Sequence, residues 1–250
     1  MARYMSKHAL FLLLLWAVLG ISVGCNSEEP VAETLDRYYY NPLTFDHTGV
    51  VYRYTSLSDQ MMPEELWHYR FDPGFRGSYL HASMFTPAGD VVQRSVERLD
   101  ANSATMLSLD LYYMDEDTLR EIRTKVTEDQ TFEFRRIDEK PTTRFIIEYI
   151  DPVTDTTRVI LKKQRYVEGM TTYEVDGISH PAVEVRTVEV LETETEGFTE
   201  SEWNGIEIYA MDLGLVYYRK NISEGFVLEY ELAEIIPYDQ FRSRYGINPD

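Results

Sequence analysis

Few side chains in this sequence combine a reactive type with a spacing that could do chemistry. Four of its five histidines follow the first 24 residues: His47, His68, His81 and His180. None stands in an HxH or HExxH pattern that binds zinc. The acidic run Asp115–Asp117 lacks the spaced oxygen ligands and the glycine of a calcium loop, and no Gly-x-Ser-x-Gly elbow is present. The sequence therefore predicts no catalytic residue, no metal, no cofactor and a protein that is not an enzyme.

Cys25 is the only cysteine of the chain, so no intramolecular disulfide can form. It follows an apolar run over residues 9–19, which itself stands behind Arg3 and Lys7. A positive start, a short apolar middle and a small-residue end are typical of a secretory signal peptide. The run is shorter than the ~20 apolar residues of a membrane-spanning helix. We therefore predict a signal peptide over residues 1–24.

The pair Gly24-Cys25 resembles the end of a bacterial lipoprotein signal, in which the cysteine is lipidated and becomes the new N-terminus. The usual pattern has leucine three residues before the cysteine, where this chain has Ser22, with Ile21 one place further back. The resemblance implies lipidation of Cys25 by acyl chains such as palmitate, and anchoring in the cell outer membrane, on its periplasmic or its surface-exposed side. Several acyl chains would hold the protein firmly, whereas one binds only marginally. The alternatives are an ordinary signal that ends just before Cys25, or an uncleaved N-terminal anchor.

The chain is strongly acidic. Its formal charge is −19, and loss of Arg3 and Lys7 with the signal peptide makes it −21. This charge repels phosphate backbones and anionic lipid head groups. We therefore expect no nucleic-acid partner, and membrane contact through the lipid anchor alone. Residues 25–37 carry four acidic side chains without periodicity and are predicted to be an acidic flexible tether. Asn26–Glu29 also resembles the tether that some surface-exported lipoproteins use, although a solvated linker explains it equally well.

Residues 38–250 are predicted to form a single β-rich domain. About a dozen short segments alternate apolar and polar residues between turn residues, the longest over Ala182–Glu192. Half-wet strands of this kind are typical of antiparallel sheets. We expect a mainly β fold: an antiparallel curled sheet in an open or half barrel, or alternatively a sandwich. A short C-terminal helix should cover Pro237–Tyr245 and end at Gly246, while residues 115–126 fit either a strand or a short helix.

Nineteen tyrosines are many for 250 residues. Neighbours such as Tyr217 and Tyr218 must point to opposite faces of a strand, so one of each pair should reach an outer face or a cavity. Aromatic rings in those places could stack on sugars or line an apolar cup. The ordinary preference of tyrosine for strands explains the same pattern without a ligand.

One C-terminal stretch supports a second resemblance. Tyr209-Ala210 and Gly214-Leu215-Val216 resemble the W-Y-A-x-G-x-G-L-V segment of several families of uncharacterised bacterial exported proteins, with Asp212 where the first glycine often stands. In those families a strand ends, a tight turn follows and a final hairpin closes the sheet. They are similar to half-barrel carriers of the lipoprotein-sorting type, which hold acyl chains against a curved sheet. The resemblance implies a hydrophobic ligand.

These patterns predict a membrane-anchored lipoprotein of the cell envelope that binds a hydrophobic ligand or lipid without catalysis. The alternative is a protein-interaction or structural subunit of an envelope complex, and a hydrolase with an unfamiliar site is the third hypothesis. A ligand carrier requires a pocket of roughly 300 Å³ or more. An interaction subunit requires an exposed apolar patch of several hundred Å², and an enzyme requires a cleft where histidines and carboxylates converge.

Overall fold

The computed structural model of the chain describes residues 33–41, 45, 48–58, 62–75, 77–116, 118–154, 156–194 and 197–247. Cys25 and the signal peptide lie outside the described residues. The described part contains the strands β1 Val50–Ser56, β2 Glu65–Gly74, β3 Gly77–Phe85, β4 Val91–Leu99, β5 Ser103–Asp115, β6 Thr118–Arg123, β7 Lys125–Glu133, β8 Thr142–Ile150, β9 Arg158–Val175, β10 Ile178–Glu194, β11 Phe198–Ala210, β12 Gly214–Ser223 and β13 Phe226–Pro237. An α-helix, α1, spans Tyr238–Tyr245, and 3-10 helices span Leu35–Arg37 and Ile137–Glu139.

The strands form one antiparallel sheet that closes on itself. Their order is β4-β3-β2-β1-β13-β12-β11-β10-β9-β8-β7-β5, and β4 also pairs with β5. Twelve strands therefore make a complete ring, while β6 pairs with β5 outside it. Closure leaves each strand of the ring with two partners, which removes the unpaired edges of an open sheet.

The predicted mainly β, antiparallel fold with a short C-terminal helix is confirmed, but the predicted open or half barrel, or sandwich, is wrong. The ring is closed by the β4–β5 pairing, whose register runs from Gln93 opposite Leu111 to Leu99 opposite Ala104. Alternation of apolar and polar residues reveals strands, but it does not reveal which strand closes the ring. Residues 118–123, for which strand and helix remained open, form β6.

Side chains alternate between the inside and the outside of the ring, as the sequence pattern of β10 predicts. Val183, Val185 and Thr187 are buried, while Arg186 between them is exposed and Glu184 is half-buried. Because successive residues of a strand point to opposite faces, the buried set belongs to the barrel interior.

The segment before the first strand closes one end of the barrel. Thr34 forms a β-bridge with Arg136, and Leu35 starts a 3-10 helix with its side chain fully buried. Tyr39 and Tyr40 follow and are buried in the same apolar cluster as Leu35. We call Thr34–Tyr40 the plug. Part of the range assigned to the tether is therefore packed against the barrel.

The C-terminal helix covers part of the outer face. Phe241 of α1 is fully buried in a small cluster with Val51, Leu66 and Ile236. As predicted, the helix ends at Gly246, which has φ +67° and donates its N–H to the Arg242 carbonyl at 2.9 Å. Among the residues described, no helix has the length and apolar character needed to cross a membrane.

Candidate functional site

The barrel encloses a cavity of about 430 Å³. Side chains from all twelve strands of the ring line it, together with Tyr39 and Tyr40 of the plug. The plug closes one end, where Tyr39 and Tyr40 are buried. At the opposite end, which we call the mouth, the cavity-lining side chains are partly exposed, as at Lys220, where 26% of the side chain is accessible.

One wall of the cavity is apolar. Its side chains come from β3, β5, β8 and β9. They are Leu80, Ala82, Met84, Met106, Leu109, Leu111, Phe145, Ile147 and Leu161. On β3 and β8 these side chains occur at alternate positions, so each of these two strands contributes an apolar strip. An alkyl chain or a ring system could lie against this wall without leaving a polar group unpaired.

The opposite wall carries a network of charges from β9–β12. Lys163 lies 2.6 Å from Glu207 and 2.9 Å from Glu189. Arg165 Nε donates to Glu207 Oε2 at 2.8 Å, and Lys220 pairs with Glu189. Each cation of this network therefore already has a carboxylate partner.

These contacts set the protonation states of the network. Burial alone would raise the pKa of Glu207, but the charges of Arg165 and Lys163 outweigh it and hold that pKa well below its usual range. Burial likewise opposes ionisation of Glu189, yet Lys163 and Lys220 lower its pKa to about 2. The pKa of Lys163 is raised, because the two glutamates outweigh its burial. Glu189, Glu207 and Lys163 are thus charged at neutral pH, and Lys163 is no free amine nucleophile.

Two further carboxyl groups in the cavity have only neutral hydrogen-bond donors. Glu97 Oε2 accepts from the Tyr39 hydroxyl at 2.7 Å and from the Thr131 hydroxyl at 2.8 Å. Glu65 Oε2 accepts from Trp67 Nε1 at 2.9 Å. Burial raises the pKa of both carboxyl groups. Both therefore differ from Glu189 and Glu207, whose cationic partners lower their pKa values.

Glu65 stands among aromatic side chains, which we call the aromatic box: Tyr54, Trp67, Tyr218 and Tyr230. Tyr54 is directly opposite Glu65 in the β1–β2 register. The Tyr218 hydroxyl hydrogen-bonds to Glu65. Tyr230 stacks on Tyr218 with ring centroids 5.2 Å apart, and burial followed by the Glu65 charge raises its pKa to about 12. The box reaches from Tyr218, two residues before Lys220 at the mouth, to Tyr54, which hydrogen-bonds to Tyr40 of the plug.

The histidines singled out in the sequence are placed outside this cavity wherever they are described. His68 Nε2 lies 2.9 Å from the Thr48 carbonyl, beneath Tyr238 of the helix. His81 pairs with Asp72 at 3.0 Å. His47 and Asp117 lie outside the described residues, as does Cys25. Within the described ranges, no group of three His, Cys, Asp or Glu side chains could hold a metal ion.

The prediction for neighbouring tyrosines is confirmed at β12. Tyr218 lines the cavity, whereas Tyr217 on the other face donates to Glu229 at 2.7 Å. The charged wall was missed, because polar residues in alternating strands were assigned to wet faces. The sequence of β9 contained an indication of this wall. Leu161, Lys163 and Arg165 occupy alternate positions in line with Val167, which is buried, and therefore lie on the same face of the strand.

Comparisons with known proteins bear on the fold. No family model and no curated protein matches the sequence. A predicted exported protein with a YmcC-like fold from Bacteroides fragilis NCTC 9343 is similar in structure, with a TM-score of 0.52 and 12% identity over 79% of this chain and 98% of that one. A predicted lipoprotein from Parabacteroides distasonis ATCC 8503 gives 0.50 and 12% over 76% and 97%. At this identity the likeness shows the fold alone.

Proposed function

We propose that the protein is an exported lipoprotein of the bacterial cell envelope, and that its barrel binds one small amphipathic ligand without catalysing a reaction on it. The observation that carries the proposal is the two-walled cavity. Its volume of about 430 Å³ falls in the ~300–1,000 Å³ range of small-ligand pockets. An apolar wall facing a charged wall suits a ligand with one apolar and one polar side.

Binding rather than catalysis is favoured by the ion pairs of the charged wall. Glu189 and Glu207 are held by cations, and Lys163 is held by both of them. No histidine of the described residues lines the cavity. A general base or a nucleophile needs a group that is free to exchange a proton or attack, and this ionised network supplies none.

Export and lipidation are supported by the sequence and by the two similar structures, which are described as an exported protein and a lipoprotein. Lipidation at Cys25 is tested by growing cells on an alkyne-labelled palmitate and comparing wild type with Cys25→Ser. We expect label on the wild type only, and wild-type protein in the outer-membrane fraction. An unlabelled wild-type protein, or a mature mass that still includes residues 1–24, would overturn this part of the proposal.

Ligand binding is tested on the mature chain carrying Cys25→Ser, so that no attached acyl chain competes for the cavity. The probe is N-phenyl-1-naphthylamine, whose fluorescence rises in apolar sites. Ala82→Phe places a ring in the cavity from its apolar wall and should abolish the signal. Thr172→Phe adds the same ring at an exposed position of β9 and should leave it unchanged. Equal signals from both variants would place the binding outside the cavity.

The alternative, a subunit that docks on another envelope protein, is favoured by one observation. Phe75 and Val153 occupy turns between strands and expose 98% and 83% of their surfaces. Exposed apolar side chains indicate an interaction surface where they form part of a contiguous apolar patch. A photo-crosslinking residue at position 75 would test this. Capture of one dominant envelope protein supports the alternative, and no crosslink from position 75 or 153 removes it.

A further inference from the structure

We propose that the ligand carries an ammonium group and that Glu65, inside the aromatic box, binds it. This inference rests on the proposed function, since it names the class of ligand for the same cavity. It starts from the difference between Glu65 and the glutamates of the charged wall. Glu189 and Glu207 each contact two cations. The donors to Glu65 are the indole of Trp67 and the hydroxyl of Tyr218, both neutral.

A buried carboxylate with neutral donors lacks a counter-ion. Among the described residues, no lysine or arginine forms a salt bridge with Glu65. Two neutral hydrogen bonds offset part of the cost of burying its charge, and a cation delivered by a ligand would offset the rest. An ammonium group is the simplest such cation, because its positive charge can pair with the Glu65 carboxylate in a site of low dielectric constant.

The box around Glu65 has the composition that recognises such cations. Faces of tryptophan and tyrosine rings attract ammonium groups, which is the basis of aromatic cages for choline and methyl-lysine. The ring centroids of Tyr54 and Tyr218 are 6.2 Å apart, and Tyr218 and Tyr230 stack at 5.2 Å. Aromatic rings without a carboxylate would suit a sugar or an apolar ring equally, so the pairing with Glu65 is the specific feature.

An apolar tail has a continuous path from the box into the cavity. Met84 is directly opposite Trp67 in the β2–β3 register. Ala82 and Leu80 follow on the same face of β3 towards the plug, and all three line the cavity. A ligand with its ammonium group in the aromatic box and its tail along β3 would use both features.

The other candidate ligand is an amphiphile with an anionic head group. Its partners inside the barrel would be Lys163, Arg165 or Lys220, because the fourth cation of the lining, Arg219, is exposed. Each of these already contacts Glu189 or Glu207, so an anion would have to displace a buried carboxylate. The ammonium group displaces nothing at Glu65.

The test uses isothermal titration calorimetry on the mature chain with Cys25→Ser. Three probes share an eight-carbon tail and differ in charge: octyltrimethylammonium, octan-1-ol and octanoate, each below its micelle-forming concentration. We expect the ammonium probe to bind at least about tenfold more tightly than the alcohol. Binding of all three with no preference for the ammonium overturns this inference but keeps the proposed function. Binding of none of them overturns both.

Variants locate the effect. Glu65→Gln should weaken octyltrimethylammonium binding about tenfold to a hundredfold and leave octan-1-ol within about twofold. Glu97→Gln is the matched control, because Glu97 is also a cavity carboxyl with neutral donors. It should leave the preference for ammonium intact. Loss of the preference in both variants, or in neither, contradicts a specific role of Glu65.

A second pair of variants keeps the inference testable if Glu65→Gln fails to fold. Trp67→Phe keeps a ring in the box and should keep ammonium binding within about threefold. Trp67→Leu removes the ring face and should weaken that binding about tenfold. Circular dichroism checks the fold of each variant. Equal binding by the two folded variants would rule out the aromatic box as the ammonium site.

Discussion

Arg165 and Glu207 form an ion pair inside the barrel, with Arg165 Nε 2.8 Å from Glu207 Oε2. Their strands, β9 and β11, do not pair with each other, because β10 lies between them. The ion pair therefore bridges β9 and β11 across the intervening strand β10. Lys163 of β9 also contacts Glu207, at 2.6 Å. A buried anion that pairs with two cations links β11 to β9 electrostatically, so its loss should be costly.

Glu207→Gln should lower the free energy of unfolding by about 3–5 kcal/mol, because it leaves Lys163 and Arg165 buried with one carboxylate fewer. Urea unfolding followed by tryptophan fluorescence measures this. The surface pair Arg136–Asp138, at 2.7 Å, provides the control. Asp138→Asn should leave the unfolding midpoint unchanged, since exposed pairs contribute little. Equal effects of the two substitutions would show that the cavity network does not stabilise the fold.

Stability should fall steeply in acid. The pKa of Glu189 is about 2 and that of Glu207 is also lowered in the folded protein, whereas an unfolded glutamate titrates near ~4.3. A lowered pKa means that the stabilisation is present above the unfolded pKa and is lost as the pH falls towards the folded one. For Glu189 the contribution is on the order of 3 kcal/mol. Urea midpoints from pH 6 to pH 2 would show the loss begin below about pH 4.5, and Glu189→Gln should flatten it.

Glu97 should act in the opposite direction. Its burial raises its pKa, so the folded state disfavours the carboxylate, and this cost appears as the pH rises above the unfolded pKa. The glutamine side chain in Glu97→Gln cannot ionise, so the variant does not incur this cost. The free energy of unfolding of the variant should therefore rise relative to that of the wild type between pH 4 and pH 8. A difference that does not change with pH would contradict a raised pKa.

Gly214 should tolerate alanine poorly. It has φ +83°, and an added Cβ would lie 2.6 Å from Cδ1 of Tyr40 in the plug. Gly177 is the matched control, because it has φ +74° but nothing within 4 Å of an added Cβ. Gly177→Ala should cost about 1–2 kcal/mol for the left-handed backbone alone, and Gly214→Ala about 1–3 kcal/mol more for the contact. Thermal or urea unfolding would separate the two, and equal losses would exclude the contact with Tyr40.

The C-terminal hairpin shows what local sequence could predict. A tight turn was expected at Gly214, and this residue, which has φ +83°, follows the turn between β11 and β12. Asp212, which stands where the similar families often have glycine, also has positive φ, +62°. Strand and turn signals of this kind are local, so they can be recognised without knowing the fold.

Closure and the charged wall could not be predicted, since both depend on distant partners. β4 and β5 are hairpin neighbours whose pairing completes a ring only because β7 also meets β5, through Ser103–Thr105. Glu207 is followed by Ile208 and preceded by Ile206, so alternation alone placed it on a wet face. Only its contacts with Lys163 and Arg165 of β9 explain its burial.

Leu35→Ala tests whether the plug belongs to the barrel fold. Leu35 is fully buried with Tyr38 and Tyr39, so the truncation should leave a cavity and cost about 2–5 kcal/mol in unfolding free energy. Leu57, after β1, is 46% exposed, and Leu57→Ala should cost far less because little buried surface is lost. Urea unfolding of both variants measures the difference. Comparable small losses would mean that the residues before Tyr38 do not stabilise the barrel, as expected of a tether. A large loss for Leu35→Ala alone would show that these residues are part of the closed end of the barrel.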